Sequence, residues 1–345
     1  MNRTVYFDYL RVFASICIMI VHVAAYPWYY VDINSNTWLV LEVYKCINRA
    51  PVLLFIMISG ALFLGREIPV RKMYSKYILR MVIAFIFWDI VYAVITYWDK
   101  GISGIIFKLF NSNYHLWFLL AIIGLYMLTP FLRLIAENEK ILRYFLILAL
   151  IFAFIIPNCF SLIESFGNET MVKYADMLGG HIYDMHVEAV IGYPFYFLAG
   201  YYIHTHELGK ISRRIIYVLG ICGVIFGVVL NVYYSRSTGV LQDSFHNVFM
   251  THEMVEAIAL FTFFRYNVKG TPKLDGIVYK ISACGFGAYL MHDLVILGLE
   301  KFLGLNAISF PSIIAVPVLG VLTFAVSSAL AWVLGRIPFV KKYLV

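Results

Sequence analysis

The residues most able to do chemistry in this chain stand inside its most apolar stretches. Asp8, Arg11 and His22 fall in one such stretch, and Glu42, Lys45 and Arg49 in the next. Asp89, His115 and Glu188 follow, then His252, Glu253 and Glu256, and last His292 and Asp293. A charge at the centre of a bilayer costs about 2.5–3.5 kcal/mol on insertion scales, so each of these groups needs a partner or a function. Arg11 and His22 are the most telling pair. Eleven helical residues make close to three turns, so the two side chains share a face, about 16 Å apart along the axis. Ser15 lies on the same stripe. Two readings follow: Arg11 pairs with Asp8 while His22 sits at the interface, or one helix face carries a cation at one depth and a reactive imidazole at another.

The surrounding elements follow from composition. Of 345 residues, 62 % are hydrophobic and only 14 % charged. Soluble domains hold about 45–50 % and about 25 %. This excludes a soluble enzyme and a disordered chain, and predicts an all-α, polytopic integral membrane protein forming a single domain over 1–345. A spanning helix needs about 20 mostly apolar residues. Ten stretches qualify, over roughly 6–28, 38–64, 77–98, 114–134, 142–158, 187–204, 213–234, 246–265, 278–299 and 311–335. The first, with Asp8 and Arg11 inside it, reads as a retained span and not a cleaved signal. Segment 101–110 reads as a short interfacial helix, and 158–186 as the largest outer loop.

The net charge of +7 reflects basic inner loops and not a nucleic-acid partner. With the N-terminus cytoplasmic, inner segments hold 19 Lys and Arg and outer segments 5. That bias predicts both termini on the cytoplasmic side. The five cysteines are scattered, with no CxxC, so neither a disulfide framework nor a zinc site is expected.

Orientation then sets depth. His22, Lys45, Arg49, His115, Glu188, His252, Glu253 and His292 all fall in or near the outer half. One polar cavity open to the outer face would satisfy them together. Glu42 can reach Lys45 at i,i+3, and Lys45 shares a face with Arg49 at i,i+4. Arg49 precedes Pro51, which perturbs the helix and favours a cavity-lining place. Ser59-Gly60 suits either close packing or binding.

Six blocks in order carry a family resemblance over essentially the whole chain. They are Phe7 to Val12 with His22; Asn48-Arg49-Ala50-Pro51 with Ser59-Gly60; the basic stretch Arg71 to Arg80; His115-Leu116-Trp117-Phe118-Leu119 with Tyr126 and Pro130; Tyr196 to Tyr201; and Ala288 to His292. This pattern resembles the integral-membrane acyltransferase type 3 family. Two departures stand out. Asp293 follows the late histidine where the family often has proline, and the inner loop has Lys76 and Arg80 in place of a clean Arg-x-x-Arg.

The resemblance implies a ten-span membrane O-acyltransferase of the bacterial cell membrane. It would move an acyl group, most often acetyl, from cytoplasmic acyl-CoA to a hydroxyl of a cell-surface or secreted glycan. Arg11, Lys76 and Arg80 would hold the CoA phosphates. His22 would act as base or as transient acyl carrier, and Arg49, His115 or His292 would stabilise the oxyanion. The resemblance implies no metal. The acceptor, the acyl length and the oligomeric state stay open. The competing reading is a polysaccharide exporter using the same polar cavity, although no paired broken segments or inverted repeat stand out in the sequence.

Overall fold

The computed structural model describes residues 4–345, and residues 188–191 by backbone alone. Arg3, expected on the inner side, and the side chain of Glu188 therefore lie outside the described residues. Every regular element described is helical. The protein is an all-α, multi-pass membrane protein. Among the described residues, seven helical runs are long and apolar enough to cross a membrane, and between them they contain eight of the ten expected spans. The other two expected spans coincide with shorter helices.

Helix α1 (Val5–Trp28) carries Asp8, Arg11 and His22. The second expected span is two helices, α2 (Asn36–Ile47) and α3 (Pro51–Phe63). The break has a covalent cause: Pro51 has no N–H to continue the ladder of α2. The Asn48 side-chain amide donates to the Tyr44 carbonyl at 2.9 Å and satisfies part of the freed backbone. Such interruptions are tolerated in a membrane where they line a cavity, and Arg49 sits in this one.

Beyond it, α4 (Val70–Lys72) runs through a π-helical turn (Met73–Ile78) into α5 (Leu79–Tyr97). The expected short helix is α6 (Gly101–Asn111), followed by a single turn (Tyr114–Leu116) and α7 (Trp117–Glu137). Helix α8 (Glu139–Ala149) passes through a second π-helical stretch into α9 (Ile156–Phe166). The expected outer loop is thus largely helical, since α9 and α10 (Glu169–Tyr183) fill most of it. Then come α11 (Glu188–Thr205), α12 (Lys210–Thr238), α13 (Thr251–Asn267), α14 (Pro272–Leu303), α15 (Ser312–Leu334) and α16 (Pro338–Tyr343). The eighth expected span begins five residues late, which leaves His246 in the connection before α13.

Helix α1 is the hub, packed on α2, α3, α14 and α15. Helices α3 and α11 cross closely at two glycines. A Cβ on Gly60 would lie 1.8 Å from the Phe197 carbonyl oxygen, and one on Gly200 would lie 2.1 Å from that of Met57. The Ser59-Gly60 signal therefore marks close packing, and two of the six sequence blocks meet there. Ile86 and Ile90 on α5, and Val218 and Ile221 on α12, are exposed, as lipid-facing side chains should be.

Candidate active site

Three histidines from distant parts of the chain converge. The ring of His292 lies 4.8 Å from that of His22 and 4.9 Å from that of His115, centroid to centroid. His292 is fully buried. Its Nδ1 is 2.5 Å from the Tyr289 carbonyl, three residues back in α14. A carbonyl only accepts, so Nδ1 carries the proton and Nε2 presents a lone pair. That Nε2 has no hydrogen-bond partner among the described residues. Tyr289, from the same helical stripe, also donates its hydroxyl to the His115 carbonyl.

Two buried carboxylates hold the segment that delivers His115. Asp293 accepts from Tyr114 at 2.8 Å, from Tyr26 at 3.0 Å and from the Asn113 amide at 3.3 Å. Asp89 accepts from the Asn113 backbone N–H at 3.2 Å and the Ser112 hydroxyl at 3.3 Å. Ser112 has a φ of 44°, a left-handed conformation that a non-glycine residue adopts only when held. Tyr114 in turn lies against His22, ring centroids 5.2 Å apart. The departure at Asp293 is thus a brace joining α1, α14 and the 112–115 segment.

His22, His115 and Arg49 open onto one cavity of about 300 Å³, which Tyr29, Trp117 and Asp243 also line. Arg49 Nε is buried in it without a partner among the described residues. Partial burial and the Asp243 carboxylate push the Tyr29 hydroxyl above its ordinary range, so it is a donor at neutral pH. His292 stands behind His22 and His115, outside the lining.

The Glu42–Lys45 pair does not form. Lys45 lies 3.1 Å over the centre of the Trp28 ring and 3.5 Å from Asp243. Glu42 instead accepts from the Trp28 indole at 2.6 Å and from the Cys46 thiol at 3.3 Å, and sits 2.9 Å from His246 Nε2. The tertiary approach of Trp28 and His246 overrides the local i,i+3 spacing. Glu42, Cys46 and His246 are close enough to surround an ion. The carboxylate already takes these contacts and Lys45 stands beside it, so the trio reads as a polar brace. Glu253 and Glu256 are buried on α13, apart from the cavity lining.

A second cavity, about 280 Å³, lies toward the other end of α1. Arg11, Arg80, Asp8 and Ser282 line it. Arg11 pairs with Asp8 at 3.2 Å, and the Ser282 hydroxyl donates to the same carboxylate at 3.1 Å. The structural reading of Arg11 and the cavity-lining one therefore both hold. Arg80 lies over the Phe286 ring and donates to the Val345 carbonyl at 2.7 Å. Lys76 stands apart, exposed and outside the lining. The π-helical turn takes it out of α-helical i,i+4 register with Arg80.

The two cavities share Ile18, Val52 and Tyr289. One surface of α1 thus runs from a guanidinium pair to an imidazole trio, with three residues common to both chambers. Sequence reasoning missed Tyr114, Asn113 and Asp243. The only signals were their positions, the first two beside His115 and the third in a polar loop.

This fold and site define a multi-pass membrane protein with two adjoining cavities beside its first helix. A family model for the acyltransferase domain matches residues 4–332, nearly the whole chain. The chain belongs to the acyltransferase type 3 family and is a membrane acyltransferase. Neither the curated proteins nor the solved structures yield a significant match to it.

Proposed function

We propose that the protein transfers a short acyl group, most simply acetyl, from acyl-CoA on the cytoplasmic side to a hydroxyl of an envelope or secreted glycan. The bacterial cell membrane is its place in this reading. The carrying observation is the pair of cavities with Ile18, Val52 and Tyr289 in common. A thioester arm entering past Arg11 and Arg80 reaches His22 along one helix face, over about 16 Å.

His22 takes the proton of the acceptor hydroxyl as that oxygen attacks the thioester carbonyl. The C–O bond forms, the C–S bond breaks, and the proton passes from His22 to the leaving thiolate. Arg49 and the His115 imidazole face the same chamber and stabilise the developing oxyanion. His292 positions His22 from behind. Tyr29, Trp117 and Asp243 at the outer chamber supply an aromatic face, a donor and an acceptor, a combination suited to a sugar. An exporter would have no need of three imidazoles packed together beside this chamber.

The test is transfer of labelled acetyl from acetyl-CoA to envelope glycan in membranes carrying the wild type, His22→Ala or Arg11→Ala. Label that enters glycan with the wild type and is lost in both variants supports the reading. Equal label with and without the wild-type chain, across several glycans, overturns it.

A further inference from the structure

A third cavity adjoins the Arg11–Arg80 chamber and is the largest of those described, at about 800 Å³. Its walls come from the first turns of α14 and from the end of α15 with the following segment. Tyr279, Lys280, Ala283, Trp332, Arg336 and Lys341 are among them. Tyr279 and Ala283 belong to both chambers, so the two are contiguous.

The chemistry of the basin is one-sided. It has three cationic side chains and no acidic one among the described residues, and the oxygen of Val345, which also lines it, is already taken by Arg80. Elsewhere Arg133, Arg143 and Arg265 are each paired with a carboxylate. Lys280, Arg336 and Lys341 are not. The Arg336 guanidinium lies 4.0 Å over the Trp332 ring. Stacking fixes the plane of the fork and leaves its N–H edge for a bidentate oxyanion. The volume falls in the range of roughly 300–1,000 Å³ typical of cofactor and small-molecule pockets. A competing basin beside Thr4, Arg66 and His204 is about 450 Å³; Arg11 lines it but is paired there with Asp8, which leaves Arg66 as its one further Lys or Arg.

We infer that the basin formed by Lys280, Arg336 and Lys341 binds the phosphorylated nucleotide end of the donor, leaving the Arg11–Arg80 chamber to its narrower pantetheine arm. This rests on the acyl-CoA reading above and moves the phosphate contacts from Lys76 to the end of α15. The same cations could also meet the phosphate of an anionic lipid headgroup, and the experiment separates the two sources.

The experiment measures binding of CoA, dephospho-CoA and pantetheine to the purified full-length protein in nanodiscs. Wild type is compared with Arg336→Gln/Lys341→Gln, Lys280→Gln and Arg66→Gln. The double variant should weaken CoA binding about tenfold or more and leave pantetheine within about twofold. Arg66→Gln should leave CoA binding unchanged. Unchanged CoA affinity in the double variant overturns the proposal, and so does a loss that follows Arg66→Gln instead. Unchanged CoA affinity with reduced retention of phosphatidylglycerol assigns the cations to lipid. A wild type that binds none of the three probes overturns the acyl-CoA reading and this proposal together, an outcome distinct from the others.

Discussion

His22 and His292 face one another with ring centroids 4.8 Å apart and planes inclined by 37°, yet of the two only His22 lines the chamber of Arg49 and Trp117. The two imidazoles therefore have different work. In the proposed mechanism His22 touches the reacting groups, and His292, tied through Nδ1 to the Tyr289 carbonyl, positions it. His22→Ala should lower transfer by about 10²–10⁴-fold, the usual worth of a general base, with CoA binding retained. His292→Ala should lower it less and displace the pH–rate profile, which a merely structural loss would not do. Equal rates and unshifted profiles in both variants would remove the histidines from the mechanism.

Asp293 gathers three donors from two other elements, so its removal leaves the buried Asn113 amide and the more accessible Tyr26 and Tyr114 hydroxyls without this acceptor. Asp293→Ala should destabilise the protein by about 1–3 kcal/mol, chiefly through the buried amide. It should also slow transfer by releasing Tyr114 from His22. Asp293→Asn keeps a carbonyl oxygen for the two tyrosines and should recover much of the loss. Thermal unfolding in detergent and initial rates check both. A proline at this position has no acceptor either and, inside α14, also loses the backbone N–H and clashes with the Tyr289 carbonyl, so it should cost more than alanine.

The α3–α11 crossing predicts a sharp contrast between glycines. Gly60→Ala would place a methyl group 1.8 Å from a backbone oxygen, while the space beside Gly124 is open to 4 Å. Gly60→Ala should cost several kcal/mol or abolish folded yield, because backbone cannot step aside as a side chain can. Gly124→Ala should fold normally. Fluorescence-detected size exclusion distinguishes the two, and similar profiles would contradict the crossing.

Much of this was legible in the sequence where the signal is local. Composition and apolar runs give an all-α membrane protein, and α-helical periodicity places Arg11 and His22 on one face of α1. Pro51 after Arg49 marks the helix break. What was not legible depends on tertiary approach. Glu42 abandons Lys45 because Trp28 and His246 arrive from other segments. Lys76 leaves the Arg80 register because a π-helical turn intervenes, and nothing in Met73–Ile78 announces one. Asp293 looked like an irregularity until Tyr26, Asn113 and Tyr114 were seen to converge on it.

The residues common to both chambers allow the path itself to be tested. Ile18, Val52 and Tyr289 stand between the guanidinium chamber and the imidazole chamber. Tyr289 also holds the His115 carbonyl, so changing it would confuse two effects. Val52, one residue past the break on α3, is partly buried and free of that duty. Val52→Trp adds a large ring at the junction without touching Arg11, Arg80 or the histidines. If an acyl arm passes there, transfer should fall by at least about tenfold, since a misplaced reacting group loses the proximity that the site supplies. CoA should still bind, because Val52 does not line the basin beyond Tyr279 that is assigned to its phosphates. Val52→Ala widens the junction and should keep activity, which separates blockage from loss of fold. Wild-type transfer in Val52→Trp, with CoA still bound, would mean that the two chambers do not serve one substrate.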